Sequence, residues 1–243
     1  MKLRGYLAVA FVGLCLLAAD LAQRLVITLW TWLRPSRRIA ILSRWIQTMA
    51  WMVTRPVSVI GGAQLPVPPK IPFEPGVLIL MNHQSMFDIP MVVQSVWPGH
   101  PRIVTRKRYT RWIPQISHMT RLYQYPTVNP RGTASEMRTA LEELCEAART
   151  SEVPLALFPE GTRAKDGEIR KFRTSGMRVI LRARPWRVYV LVADGFINGR
   201  VMILDADLNY ITEFGGEPGT GRGKFDVVHS IAVGPNGRIF VAD

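Results

Sequence analysis

His83 and Asp88 stand five positions apart in "MNHQSMFD", directly after the apolar run "GVLIL". A turn at the end of a buried strand can bring the Asp88 carboxylate back to one nitrogen of the imidazole. The carboxylate then fixes the tautomer and leaves the other nitrogen as a base. Ser85, between the two, is assigned to the turn rather than to nucleophilic attack, so a nucleophile has to come with the substrate. A second group is "FPEGTR", Phe158 to Arg163. Gly161 permits close backbone approach to an anion, Thr162 offers a hydroxyl, and Arg163 offers a planar fork suited to phosphate. Glu160 has to orient Arg163 or a substrate hydroxyl, because a free carboxylate there repels phosphate. Purely structural readings stand beside these: a histidine paired with a nearby carboxylate, and a strand exit closed by a Glu160–Arg163 ion pair.

The elements that must position these groups alternate. "PGVLILMN", "RIVT" and "VPLALFPE" read as short buried strands, and Ile89 to Trp97 and Thr174 to Arg184 as helices. "TASE", Thr133 to Glu136, is a capping box opening a helix that runs to about Arg149. Strands separated by helices imply an α/β fold with a mixed, largely parallel sheet flanked by helices, whose functional loops leave the C-terminal ends of the strands. Both groups sit at such ends.

The 243 residues carry a formal charge of +13, 48% hydrophobic residues and a mean hydropathy of +0.09, so a membrane belongs among the partners. Charge alone fits nucleic acid or an anionic lipid surface equally. Cys15 and Cys145 are the only cysteines, which excludes a disulfide framework and a zinc cluster. The N-terminus holds an uncharged apolar run, Gly5 to Ala19, whose helical pattern continues through Asp20 and Arg24 to Leu33. We read it as a membrane anchor closed by Arg34, Arg37 and Arg38, with a secretory signal as the rival. Leu42, Trp45, Ile46 and Met49 then mark an amphipathic helix ending at Arg55-Pro56, either a core helix or a helix on the membrane surface.

"NHQSMFD" and "FPEGTR", with 75 positions from His83 to Phe158, resemble the glycerolipid acyltransferase family that includes 1-acylglycerol-3-phosphate acyltransferase. The resemblance runs from about Ile39 to Ala193. It implies His83 as the base and Asp88 as its partner. It also points to Arg131 in "YQYPTVNPRGT" and Lys107 in "TRKRYTRWIP" as phosphate contacts beside Glu160, Gly161, Thr162 and Arg163. The basic cluster around Lys107 reads equally well as a solvated or lipid-facing patch. What the resemblance implies further is a fatty acyl group passed from acyl-CoA or acyl carrier protein to the hydroxyl of a lysophospholipid in phospholipid synthesis. No cofactor, metal or nucleic acid is implied, and the expected location is the cytoplasmic face of the inner or plasma membrane.

After "FRTSGMRVILRARPW" the chain leaves that pattern. Val188 to Asp243 carries 4 Lys and Arg against 7 Asp and Glu, while Met1 to Arg187 carries 27 against 11. "VAD" at Val192 returns at Val241, a period of 49 residues, and the segment resembles the NHL repeat of β-propellers. The expected division is an N-terminal anchor and amphipathic helix over 1–56, an acyltransferase domain over 57–190, and an incomplete all-β propeller segment over 191–243 that a protein partner could cover. A natural fusion, a truncation and an assembly artefact remain open as its origin. The alternative function is a catalytically disabled protein acting as an NHL-type binding or scaffold module.

Overall fold

The computed structural model of the chain describes residues 2–63, 65, 68, 70–163 and 172–191, and in the tail the strands 200–204, 210–215, 230–233 and 239–242. The N-terminal apolar pattern forms α1 (Lys2–Ala22), a π-helical turn (Gln23–Ile27) and α2 (Thr28–Leu33). Together Leu3–Leu33 make a 31-residue apolar helix long enough, by length and composition, to cross a membrane. Ala19, Gln23, Ile27 and Thr31 are buried at a spacing of four, and most of the rest of this helix is uncovered. That stripe faces α3 (Arg38–Val59), which runs back alongside. Polar bonding adds to the contact, because Gln23 Oε1 accepts from Trp45 Nε1 at 2.9 Å and from Gln115 Nε2 at 3.1 Å.

Of the two readings of α3, its inner face matches the core helix: Leu42, Ile46 and Ala50 enter the main core, while Trp51 and Val59 stay exposed. The expected end at Arg55-Pro56 is overturned, since the helix runs on through Pro56 to Val59. A proline lacks only the amide of its own position, and so near the C-terminus the following turn still closes, with Ile60 N donating to Pro56 O at 2.8 Å.

The main sheet is four-stranded and parallel, built from β1 (Val77–Met81), β2 (Arg102–Ile103), β5 (Leu155–Leu157) and β6 (Arg187–Leu191) in the order β2-β5-β1-β6. Every residue of β1 is buried, as a strand covered on both faces requires. Val77, Ile79 and Met81 join the core under α3 and α4 (Asp88–Ser95). Leu78 and Leu80 join the core under α6 (Ala134–Thr150) and α7 (Thr174–Ala183). The capping box is present: Thr133 Oγ1 accepts from Glu136 N, and Glu136 Oε2 from Thr133 N.

"RIVT" proves to be two strands. Val104 N still donates to Ala156 O, at 2.9 Å, but Thr105 N turns to Pro126 O, so β3 (Thr105–Arg106) pairs in parallel with β4 (Thr127–Val128) in a separate ladder. Between them lies α5 (Ile116–Leu122), which the sequence pattern does not announce. In the tail, β7 (Arg200–Leu204) and β8 (Tyr210–Gly215) form one antiparallel hairpin, β9 (Ser230–Val233) and β10 (Ile239–Ala242) another. Most of the "FGGEPGTGRGKF" loop and the first "VAD", Val192 to Asp194, lie outside the described residues, while Val241 and Ala242 of the second fall in β10.

Side-chain bonds fasten α3 to the loop after α4. Gln47 Nε2 caps the carbonyls of Val93, Val96 and Gly99 at 2.8, 3.0 and 2.9 Å, and Ser43 Oγ lies 2.8 Å from His100 Nδ1. Burial, reinforced by Arg102, pulls the His100 pKa down to about 4. The unfolded chain therefore binds a proton that the folded chain refuses between pH 4 and 6.5. Stability from this site is complete above pH 6.5 and is lost as pH falls toward 4, on the order of 3 kcal/mol in all. Melting curves of the detergent-solubilised protein across that range should show this loss, and His100→Gln should flatten the His100 part of it.

Candidate active site

The parallel pairing of β1 with β5 sets Leu80 opposite Leu157. Three residues beyond each partner lie His83 and Glu160, so both emerge at one height at the C-terminal edge of the sheet. There Glu160, 2% exposed, accepts the backbone N–H of His83 on Oε1 at 3.0 Å. Its carboxylate turns inward and ties the two motifs together through this bond.

Asp88, buried at the first position of α4, receives three donors on the same oxygen. Gln84 N and Ser85 N donate to Oδ2 at 2.7 and 2.8 Å, and His83 Nδ1 at 2.9 Å. Two backbone amides fix the carboxylate, which then dictates the ring. With Nδ1–H donating, Nε2 carries the lone pair, and it has no protein partner among the described residues. Phe158 stacks on the imidazole with centroids 4.4 Å apart and planes at 28°. Ser85 Oγ accepts from Phe87 N at 3.2 Å, as the turn assignment expects.

The cationic side of the site is centred on a residue that sequence reasoning missed. Arg106 ends β3 and donates through both Nε and Nη2 to the carbonyl of Gly161. Burial lowers its pKa first, and Arg108, Arg173 and Arg131 lower it further while Tyr109 opposes them, so several guanidinium groups lie within electrostatic reach of one another. Arg131 and Arg163 are exposed at this rim, as are Lys107 and Thr162. Gly161 adopts φ +65, and a Cβ there would sit 3.0 Å from Arg173 Cδ, so the glycine answers both to its backbone and to its neighbour. A cavity of about 550 Å³ opens next to Arg131, lined by Gly132, Met137, Leu141, Cys145 and Val179. It does not include His83 or Asp88.

A parallel α/β sheet with a His–Asp pair at one strand end and a glycine turn at the next is the layout of an acyltransferase domain. Residues 57–193 match the acyltransferase family model, more than half of the chain, and the chain belongs to that family. A 1-acyl-sn-glycerol-3-phosphate acyltransferase of Cocos nucifera is 24% identical over 107 residues, 44% of this chain and 34% of that protein. The match thus spans about a third of that relative's length. The crystal structure of the 1-acyl-sn-glycerophosphate (LPA) acyltransferase PlsC from Thermotoga maritima aligns with a TM-score of 0.55 at 18% identity, covering 75% of this chain and 71% of that one. This likeness is one of fold. The family match stops at residue 193, so the repeat-like character of 191–243 rests on sequence alone.

Gly161→Ala should destabilise the domain by about 1 kcal/mol or more, because alanine is strained at positive φ and meets Arg173. Glu160→Ala should cost about 1 to 3 kcal/mol by stranding the His83 amide. Thermal melts of both variants test these values. An unchanged melting temperature for Glu160→Ala would sink the tie between the motifs.

Proposed function

We propose that the chain is a membrane-associated acyltransferase that moves a fatty acyl group from acyl-CoA or acyl carrier protein to the hydroxyl of a lysophospholipid, best fitted by 1-acylglycerol-3-phosphate. The observation that carries this reading is the His83–Asp88 pair at 2.9 Å with Nε2 left as a base and no protein nucleophile assigned beside it. His83 Nε2 takes the proton of the acceptor hydroxyl as its oxygen attacks the thioester carbonyl carbon. The new C–O bond forms, the C–S bond breaks, and the proton passes from the imidazolium to the leaving sulfur. Asp88 steadies the imidazolium, and no acyl-enzyme forms. Arg131, Arg163 and Lys107, with Arg106 behind them, hold the phosphate, so binding energy far from the reacting carbon orients the hydroxyl. Thr162 adds a hydroxyl to this cradle. The long apolar N-terminal helix supports a membrane location, on the cytoplasmic face, where both acceptor and acyl chains reside.

His83→Ala should abolish thioester consumption while the protein still floats with vesicles, and Asp88→Asn should lose somewhat less by leaving a misoriented ring. A histidine variant with the wild-type rate would rule out the mechanism.

Arg163→Lys and Arg131→Lys should each lower kcat/KM for lysophosphatidic acid roughly ten- to hundredfold, with little change for an uncharged monoacylglycerol. Equal losses with both acceptors would make these arginines structural.

A further inference from the structure

The loop after β3 holds a side chain that the reaction does not use. Trp112 is 96% exposed, between Arg111 and Ile113. Its φ is +66, and Gln115 closes the same loop at φ +62. Bulky residues rarely hold positive φ unless their surroundings impose it. Here the surroundings do. Ser117 Oγ accepts from Ile113 N at 2.9 Å, Thr110 Oγ1 donates to Lys107 O at 2.8 Å, and Arg121 Nη1 donates to Thr110 O at 2.6 Å. The indole is thus held outward by a built loop.

That loop is bolted to the long apolar helix at one height. Gln115 N donates to Asp20 Oδ1 at 2.8 Å, and the Gln115 side chain meets Gln23 in the π-helical turn. Asp20 is the first charged residue after the uncharged run Gly5 to Ala19. Between Gly5 and Leu33 only Asp20 and Arg24 are charged, and they pair with each other, so the loop is docked on the polar break of the apolar helix. Around Trp112, the exposed Lys107, Arg108, Arg111 and Arg121 form a cationic collar. No acidic residue occurs between Asp88 and Glu136, a stretch with seven lysines and arginines.

We propose that the loop Lys107 to Gln115 is a second membrane contact, in which Trp112 enters the interface of an anionic bilayer and Lys107, Arg108 and Arg111 bind its headgroups. The proposal rests on the membrane location of the N-terminal helix given above. An amphipathic ring flanked by cations suits an anionic lipid surface better than an acidic protein, because the same loop is bonded to the long apolar helix at Asp20 and Gln23. The contact has a use. Arg106, the residue before the collar, bonds the Gly161 carbonyl in the site. A lysophospholipid headgroup gathered by the collar therefore reaches the cationic cluster without leaving the interface.

The test uses the full chain with Cys15→Ser and Cys145→Ser, so that Trp112→Cys carries the only thiol, labelled with an NBD fluorophore. The protein is reconstituted into phosphatidylcholine vesicles with and without phosphatidylglycerol. Blue-shifted emission, shielding from aqueous iodide and quenching by shallow spin-labelled lipid are expected when phosphatidylglycerol is present. Arg108→Gln or Arg111→Gln should each weaken this insertion roughly fivefold, and added salt should mimic them. A probe equally open to iodide in both vesicles, or a response indifferent to the arginines and to salt, overturns the proposal. Tryptophan quenching by brominated lipid, compared between wild type and Trp112→Phe, tests the same insertion without a label. Failure of the protein to float with vesicles would overturn the proposal together with the membrane reading, whereas loss of acyl transfer alone would leave the wedge standing, since no readout here needs catalysis.

Discussion

The parallel ladder between β1 and β5 is the constraint from which the site follows. Its register sets the exits of two strands level, so a backbone amide three residues past one meets a carboxylate three residues past the other. Once Glu160 holds His83 by its main chain, only the ring remains to be set. Two amides of the same turn fix Asp88, and Asp88 fixes the ring. Each rotation is removed by a partner that is itself fixed, so little reorganisation is left for the moment of reaction.

The charges follow a different logic. Burying a carboxylate and setting Arg106 within reach of Arg108, Arg131 and Arg173 both carry an electrostatic cost. The hydrogen bond from the His83 amide offsets part of the first, and the two donors that Arg106 gives the Gly161 carbonyl offset part of the second.

Much of this was legible in the sequence, and the gaps have physical causes. Strand β1, the His83–Asp88 pair and the Thr133 capping box carry local signals: a continuous apolar run, a spacing that a turn can close, and a residue type suited to an orphan amide. Strands β3 and β4 have two residues each, too short for any periodicity. Arg106 was passed over because neighbouring cations look alike in sequence, and only the fold says which one turns inward. The bond from the His83 amide to Glu160 was equally hidden, because nearly every position has an amide. Gln23 is a polar residue in an apolar helix, and that oddity was the available signal for the contact with α3 and Gln115.

The change of partner at Val104 and Thr105 separates two tasks. The main sheet places His83 through β1 and β5, while the small ladder sends out Arg106 at the end of β3 and Arg131 three residues after β4. Chemistry and charge thus hang on different hydrogen-bonded frames that meet at the Gly161 carbonyl. Insertions or substitutions beyond β3 and β4 can reshape the cationic surface while the pairing that aligns His83 stays untouched. Such a scaffold is free to vary its charge while keeping the histidine in place.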